Sequence, residues 1–344
     1  MKIKLFFFLF LWGSASGFAQ IIEWDKLLKD NISIRALQIE GGKVWYVGTD
    51  SKLGYITLNN PEDHEQILLG DKKLQFRTLA QDRSHLYTIS IESPACFYKI
   101  NKNTLDVKLI HQDRSTNAFY DTLHYEDEKF YTFSDPEKDL KLKLFRFTPD
   151  PFFKISSAVK TDVFVKDGEA AFAASNTNMA STKRYLWMAT GGTHSRIIKV
   201  NLCSQQTKVF DTPFVQGTAS EGIYSIDFYN NRLGIAVGGD YTKQSENRNN
   251  IATTRDGGKT WQVQASGKNG GYKTCVKYRP KSGGKDIIAV GDQNIEFSSD
   301  YGKTWKIISE QKGLYVCDWI DQYTIVFAGK NRILKMTLNL EVKK

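Results

Sequence analysis

The sequence predicts an all-β protein, and specifically a seven-bladed β-propeller, on three observations. A short strand with alternating apolar residues recurs seven times, its starts separated by 42, 43, 53, 51, 49 and 42 positions. A second apolar strand follows each of these about ten residues later, and Gly, Asp or Ser usually ends it. No long segment carries a 3.6-residue apolar period; only Trp24 to Lys29 is compatible with a turn of helix. Units of 40–55 residues that each supply three or four strands are the signature of propeller blades. Two β-sandwiches would also supply many short strands, but they do not require the strand order to repeat.

The first strands read, in order, as Ile34–Leu37, Phe76–Leu79, Phe119–Thr122, Phe172–Ser175, Ile223–Ile226, Tyr272–Cys275 and Leu314–Cys317. The second strands read as Val44–Val47, Leu86–Ile89, Phe130–Phe133, Leu186–Ala189, Gly234–Val237, Ile287–Val290 and Thr324–Phe327. Third strands follow at Leu53–Thr57, Phe97–Ile100, Leu142–Phe147 and Ile197–Val200. The last unit ends after Arg332–Leu338, so the segment Ile21–Asn31 is expected to supply its outer strand and close the ring.

Residues 1–19 stand apart from this pattern. Lys2 and Lys4 precede an unbroken apolar run from Leu5 to Trp12, and Gly17 and Ala19 occupy the −3 and −1 positions of a cleavage site. This is the layout of a secretory signal peptide, too short to span a bilayer as a helix. It leaves residues 20–344 as one propeller domain, exported to the periplasm or secreted, with Gln20 at its N-terminus and no transmembrane segment.

Composition narrows the function classes. The chain of 344 residues is 41% hydrophobic, 25% charged and 13% aromatic, with only seven prolines, which fits a globular domain and excludes a disordered one. The net charge of +9 is spread among acidic residues with no block of one sign, and two of those charges lie in the leader. That reads as a solvated, mildly basic surface on a monomer, not a nucleic-acid footprint. Cys96, Cys203, Cys275 and Cys317 have no metal-type spacing and read as small buried residues, although an oxidising compartment would permit a bridge. Cys275 and Cys317 occupy matching positions in their units. His64, His85, His111, His124 and His194 are scattered. Dinucleotide, Walker, HExxH and Gly-x-Ser-x-Gly motifs are absent from the sequence, so no cofactor, metal or catalytic set is expected.

Two octapeptides, Thr254–Trp261 and Ser298–Trp305, share the pattern S/T-x-D-x-G-x-T-W at a 44-residue interval. Their chemistry suits a tight turn. Asp256 and Asp300 can accept from turn amides, Gly258 and Gly302 can adopt positive φ, and Trp261 and Trp305 can bury their rings between blades. The pattern resembles the Asp box of bacterial neuraminidase-type repeats, and the resemblance implies a structural role away from the ligand face. Because boxes are missing from the other units, the repeat is degenerate. Further stretches at Glu169–Asn178, Ala189–Arg196, Val215–Ile226 and Val237–Thr242 resemble the photosystem II stability/assembly factor-like propellers over nearly all of residues 20–344. Bacterial members of that group often carry oxidoreductase or sialidase-like labels. The resemblance implies a non-enzymatic scaffold that binds a protein or a small polar ligand.

The runner-up is a glycan-directed, sialidase-like hydrolase, which would need an arginine triad and a Tyr–Glu nucleophile pair. Arg196, Arg248 and Arg255 are present without the surrounding motifs, and Phe76–Leu79 only loosely resembles the Phe-Arg-Ile-Pro start of such enzymes. Strand order places the turns after second strands and the links before first strands at one end of the channel. The expected binding face is therefore Asp135, Glu169, Arg196, Glu221, Asp240 and Tyr241, with the polar loop Asp240 to Asn250 over the mouth.

Overall fold

The computed structural model describes residues 20–149 and 153–339; the signal peptide expected at residues 1–19 lies outside the described residues. Every regular element among the described residues is a strand, and all strand pairings are antiparallel. Successive strands of each unit pair in order, for example Tyr120–Glu126, Lys129–Ser134, Lys143–Thr148 and Lys154–Ser157. The first strands neighbour one another around a central channel. Gln38 donates through Nε2 to the Leu79 carbonyl at 2.9 Å, and the Val276 amide donates to Ser225 Oγ at 3.0 Å. This is a β-propeller.

Burial follows the strand order. The second strands are almost entirely buried, as in Ile287–Val290 and Gly234–Asp240. The outermost strand Asn60–Leu68 is almost entirely exposed. The cores lie between neighbouring sheets: Ala36, Trp45, Val47 and Leu53 of one pack on Leu79, Leu86 and Ile100 of the next. Trp187 stacks on Phe228 at 3.9 Å across another such boundary, and its indole N–H donates to the Gly257 carbonyl at 2.9 Å. A fully buried Trp with its one donor satisfied contributes apolar burial without a polar penalty.

Among the described residues the strands form six hydrogen-bonded sheets, which corrects the expected seven. The reason lies at the closure. Gln20–Glu40 pairs through Gln20 to Ser33 with Thr324–Asn339, then through Ile34 to Glu40 with Lys43–Gly48. Thr324–Asn339 likewise pairs with Leu314–Trp319 before it meets the N-terminal strand. Two long strands therefore carry the Leu314 unit and the Ile34 unit into one six-stranded sheet. The N-terminal segment does supply an outer strand to the last unit. Trp24 to Lys29 lies within this strand, paired with Arg332 to Met336, and is not helical.

A second correction concerns Phe172–Ser175. It is not a strand; the innermost strand of its sheet is Met179–Thr182, paired with Tyr185–Ala189. Phe172 to Asn178 instead crosses the channel and is tied to the surrounding sheets. Arg35 donates to the Ala174 carbonyl at 3.1 Å and Arg77 to the Ala173 carbonyl at 3.4 Å. Ser175 Oγ donates to the Thr274 carbonyl at 2.6 Å, and Asn176 Nδ2 to the Leu79 and Leu123 carbonyls at 2.8 and 3.2 Å. Ala173, Ala174 and Ser175 are small, which lets the backbone here come within hydrogen-bond distance of the residues around it.

Candidate functional site

The crossing segment separates two cavities. Ala171 to Ala174 form part of the wall of one, with a volume of about 500 Å³. Ser175 to Thr177 line the other, of about 660 Å³, at the opposite end.

The first cavity is walled mainly by residues at the start of the first-strand units: Arg35, Arg77, Asp121, Tyr224, Tyr272 and Tyr315. The Arg35 guanidinium lies over the Tyr315 ring at 4.2 Å. Phe172 and Tyr224 stack at 4.0 Å, and Tyr272 meets Tyr224 edge-on at 4.8 Å. Burial pushes both tyrosine phenols above their ordinary value, so they remain hydrogen-bond donors at neutral pH. Tyr241 and Gln244, from the loop after Gly234–Asp240, complete the rim. Tyr241 is exposed, whereas Gln244 is anchored by its carbonyl, which accepts from the Tyr272 amide at 3.0 Å. Gly271 lets this contact form: its φ is +85°, and a Cβ there would sit 2.2 Å from the Gln244 carbonyl oxygen.

Charge is unevenly neutralised here. Among the described residues, neither Arg35 nor Arg77 makes an ion pair. Burial, and after it the Arg35 cation, lower the Arg77 pKa, with Asp121 and Glu92 opposing. The Asp121 carboxyl is driven well above the usual carboxylate range by burial and then by Asp135, although the Ala173 amide donates to it. Asp135 is pushed up to about 6 by burial, with Lys143 opposing. One oxygen of each acid, Asp121 Oδ2 and Asp135 Oδ1, is buried without a partner. Two such carboxyls hold a proton because ionising both would bury two like charges. The wall of this cavity thus holds two guanidiniums and two acids, Asp121 and Asp292.

Of the expected face, Glu169, Glu221 and Asp240 lie on strands of one sheet, and Arg196 reaches Glu169. Tyr241 lines this cavity. Asp135 lies behind Asp121. Glu169 and Arg196 form a buried bidentate pair, with Nε to Oε1 at 2.9 Å and Nη2 to Oε2 at 2.6 Å. Thr190 Oγ1 and the Lys166 amide fill the remaining acceptor sites of Glu169 at 2.6 and 2.8 Å. Glu221 and Asp240 sit opposite each other on paired strands. Glu221 accepts from the Thr218 amide at 3.1 Å, and Asp240 from the Thr242 amide and hydroxyl at 2.9 and 2.7 Å. Arg35, Arg77, Asp121 and the channel tyrosines were not singled out from sequence. Their signal was positional: Arg35, Arg77, Tyr224 and Tyr315 are all second residues of their first-strand units.

The two octapeptides make matching turns. Asp256 Oδ1 accepts from Thr254 Oγ1 and the Lys259 and Thr260 amides at 2.9, 3.0 and 3.0 Å, and Oδ2 accepts from Thr260 Oγ1 at 2.7 Å. Asp300 accepts from Ser298 Oγ, the Thr304 amide and Thr304 Oγ1 at 2.9, 2.9 and 2.7 Å. Burial raises both carboxyls, but these donors outweigh it and hold them below the usual range. Gly258 and Gly302 have φ of +84° and +81°, and the Trp261 and Trp305 indoles donate to their carbonyls at 3.1 and 2.9 Å.

The fold and this channel mouth place the chain in the class of β-propellers. No protein-family model and no curated relative matches it. Among solved structures it is similar to YCF48 bound to D1 peptide, at 12% identity and a TM-score of 0.66, covering 93% of this chain and 99% of that one. It is similar also to the WD40 β-propeller domain of Doa1, at 11% identity and a TM-score of 0.62, with coverages of 95% and 98%. The structure of U3-55K matches at 9% identity and a TM-score of 0.64, with coverages of 91% and 98%. These likenesses are of fold. Among the described residues, no helix is long and apolar enough to cross a membrane.

Proposed function

We propose that the chain is an exported binding scaffold that takes an extended polypeptide segment, bearing an anionic group, across the Arg35–Arg77 mouth of its channel. The observation that carries this reading is the cavity itself: two guanidiniums that make no ion pair among the described residues, set among tyrosines in about 500 Å³, with Asp121 and Asp292 also in the wall. A bound carboxylate would neutralise two cations that otherwise repel each other, and Arg offers it a planar fork of donors. Tyrosines add large contact areas at low entropic cost. The likeness to YCF48 bound to D1 peptide supports a polypeptide as the ligand. In this reading Asp256, Gly258, Trp261, Asp300, Gly302 and Trp305 shape turns and take no part in binding.

The test is a pull-down from envelope extract with tagged protein, run beside the Arg35→Ala/Arg77→Ala double variant. A partner captured by the wild type and lost by a variant of similar Tm supports the scaffold. Turnover of a fluorogenic sialoside or other glycoside would put a hydrolase in its place. A partner retained by the double variant would move the binding face elsewhere.

A further inference from the structure

We propose that Cys275 and Cys317 are a redox-active pair that oxidises to a disulfide stapling two neighbouring sheets of the ring. Cys275 lies on the innermost strand Cys275–Tyr278, and Cys317 on Leu314–Trp319 of the closure sheet. Their sulfurs are 3.9 Å apart, with the Cys317 thiol donating to Cys275 Sγ and the Cys275 thiol to the Cys317 carbonyl at 3.6 Å. Both are fully buried. A disulfide needs about 2.05 Å between sulfurs, so side-chain rotation with a small strand approach suffices. The other two cysteines are placed differently: Cys203 is exposed, and Cys96 is buried with Gln112 Nε2 donating to its sulfur at 3.4 Å.

The surroundings favour a thiolate. Burial pushes the Cys275 thiol up, but the Cys317 hydrogen bond and the Lys277 cation outweigh it, and its net shift is downward. Burial and Cys275 both push Cys317 up. The first proton of the pair therefore leaves more easily than the second, as in coupled thiols. Burial disfavours the Lys277 charge, but Asp318 and Asp227 override it and keep Lys277 cationic. Cys317, Lys277 and Asp318 all line the 660 Å³ cavity, so the Cys317 side of the pair lies at the channel wall.

The oxidant is a low-molecular-mass disulfide, RSSR. One cysteine thiolate attacks a sulfur of RSSR and expels RS⁻, forming a mixed disulfide. The second thiolate attacks the protein sulfur of that bond and expels the second RS⁻. The protein loses two electrons and two protons, and RSSR becomes two RSH. The bond closes a loop between positions 42 residues apart, so it restricts the unfolded chain.

The experiment uses the full chain and cystamine as the oxidant. Protein is oxidised while folded and, separately, refolded from denaturant in a cystamine/cysteamine buffer, so that burial cannot hide the thiols. Thiols are counted under denaturing conditions, and a peptide map locates any bridge. The expected result is a fall from four thiols to two, with the Cys275 and Cys317 peptides joined. Tm should rise by about 5 °C on oxidation, and Cys275→Ser should abolish the rise. Four free thiols after both routes, or a bridge involving Cys96 or Cys203, would overturn the proposal.

Discussion

Arg196 and Arg77 carry the same side chain in the same ring and meet opposite fates. The Arg196 fork is taken up by Glu169, whose oxygens are themselves filled by Thr190 and Lys166. Among the described residues, Arg77 reaches the Ala173 carbonyl and Gln75 Oε1, each at 3.4 Å, beside a second arginine and with no ion pair. The difference teaches that an arginine's role in the ring is set by how much of its hydrogen-bonding capacity its neighbours take up, and not by residue type. A saturated arginine holds the fold together, whereas one with free donors can accept a ligand.

The sharpest way to break this comparison is through stability. Glu169→Ala leaves the Arg196 guanidinium buried without its counter-charge and takes from Thr190 the shorter of its two acceptors, at a cost of about 3–5 kcal/mol. Arg77→Ala removes long neutral contacts and one of two repelling cations, and should cost less than about 1 kcal/mol. Urea denaturation of the two variants checks this. Equal losses would mean that Arg77 is as structural as Arg196.

The acids behind Arg77 sharpen the same contrast. Asp135 has its folded pKa raised to about 6, from an unfolded value near 3.8. The sign follows from proton uptake. The folded state binds the extra proton, so this contribution is fully present below about pH 4 and is lost as pH rises through 6. The loss should be roughly 2–3 kcal/mol for a shift of that size. His124, pushed down to about 4 by burial and then by Lys277, titrates in the opposite sense, as does His111. The quantity to read is therefore the difference between wild type and Asp135→Asn, taken from urea midpoints at pH 4 and pH 7. Asp135→Asn should gain on the wild type as pH rises. A pH-independent difference would show that the carboxyl pair does not share a proton.

Turns offer the third comparison, because Asp256 and Asp300 meet nearly the same donors. Asp256→Ala strands the Lys259 and Thr260 amides and should cost about 2 kcal/mol. Asp300→Ala should cost a similar amount, and neither should alter partner capture once the folded fraction is equal. Loss of capture at unchanged Tm would overturn the structural role of these turns.

Much of this was legible in the sequence, in an uneven way. The second strands were readable because they are buried on both faces and so carry unbroken apolar runs such as Ile287–Val290. The octapeptide turns were readable because every donor and acceptor is local. Phe172–Ser175 misled because a short apolar run states that it is buried, not that it is paired. The six-sheet arrangement was hidden for a related reason: whether two strands run on continuously, as Gln20–Glu40 does, depends on partners some 300 residues away. The Glu169–Arg196 pair showed its two charges in sequence but not that they neutralise each other.

The comparison is finally decided at the channel mouth, where the expected effect on free energy is smallest. Arg35 spends one donor on the Ala174 carbonyl and lies over Tyr315, which leaves the rest of its fork unassigned. A ligand carboxylate that accepts from Arg35 and Arg77 should lose about tenfold in affinity for each arginine replaced by Ala, or about 1.4 kcal/mol. The two effects should not be additive, because removing one cation also relieves the repulsion felt by the other. Arg→Lys at either position keeps the charge but loses the fork, and should recover only part of the affinity. Fluorescence anisotropy with a labelled peptide from the captured partner measures all of these variants at one ionic strength. Full recovery by both lysine variants would reduce the site to a simple positive charge. No loss in either alanine variant would show that Arg35 and Arg77 serve only to hold the crossing segment.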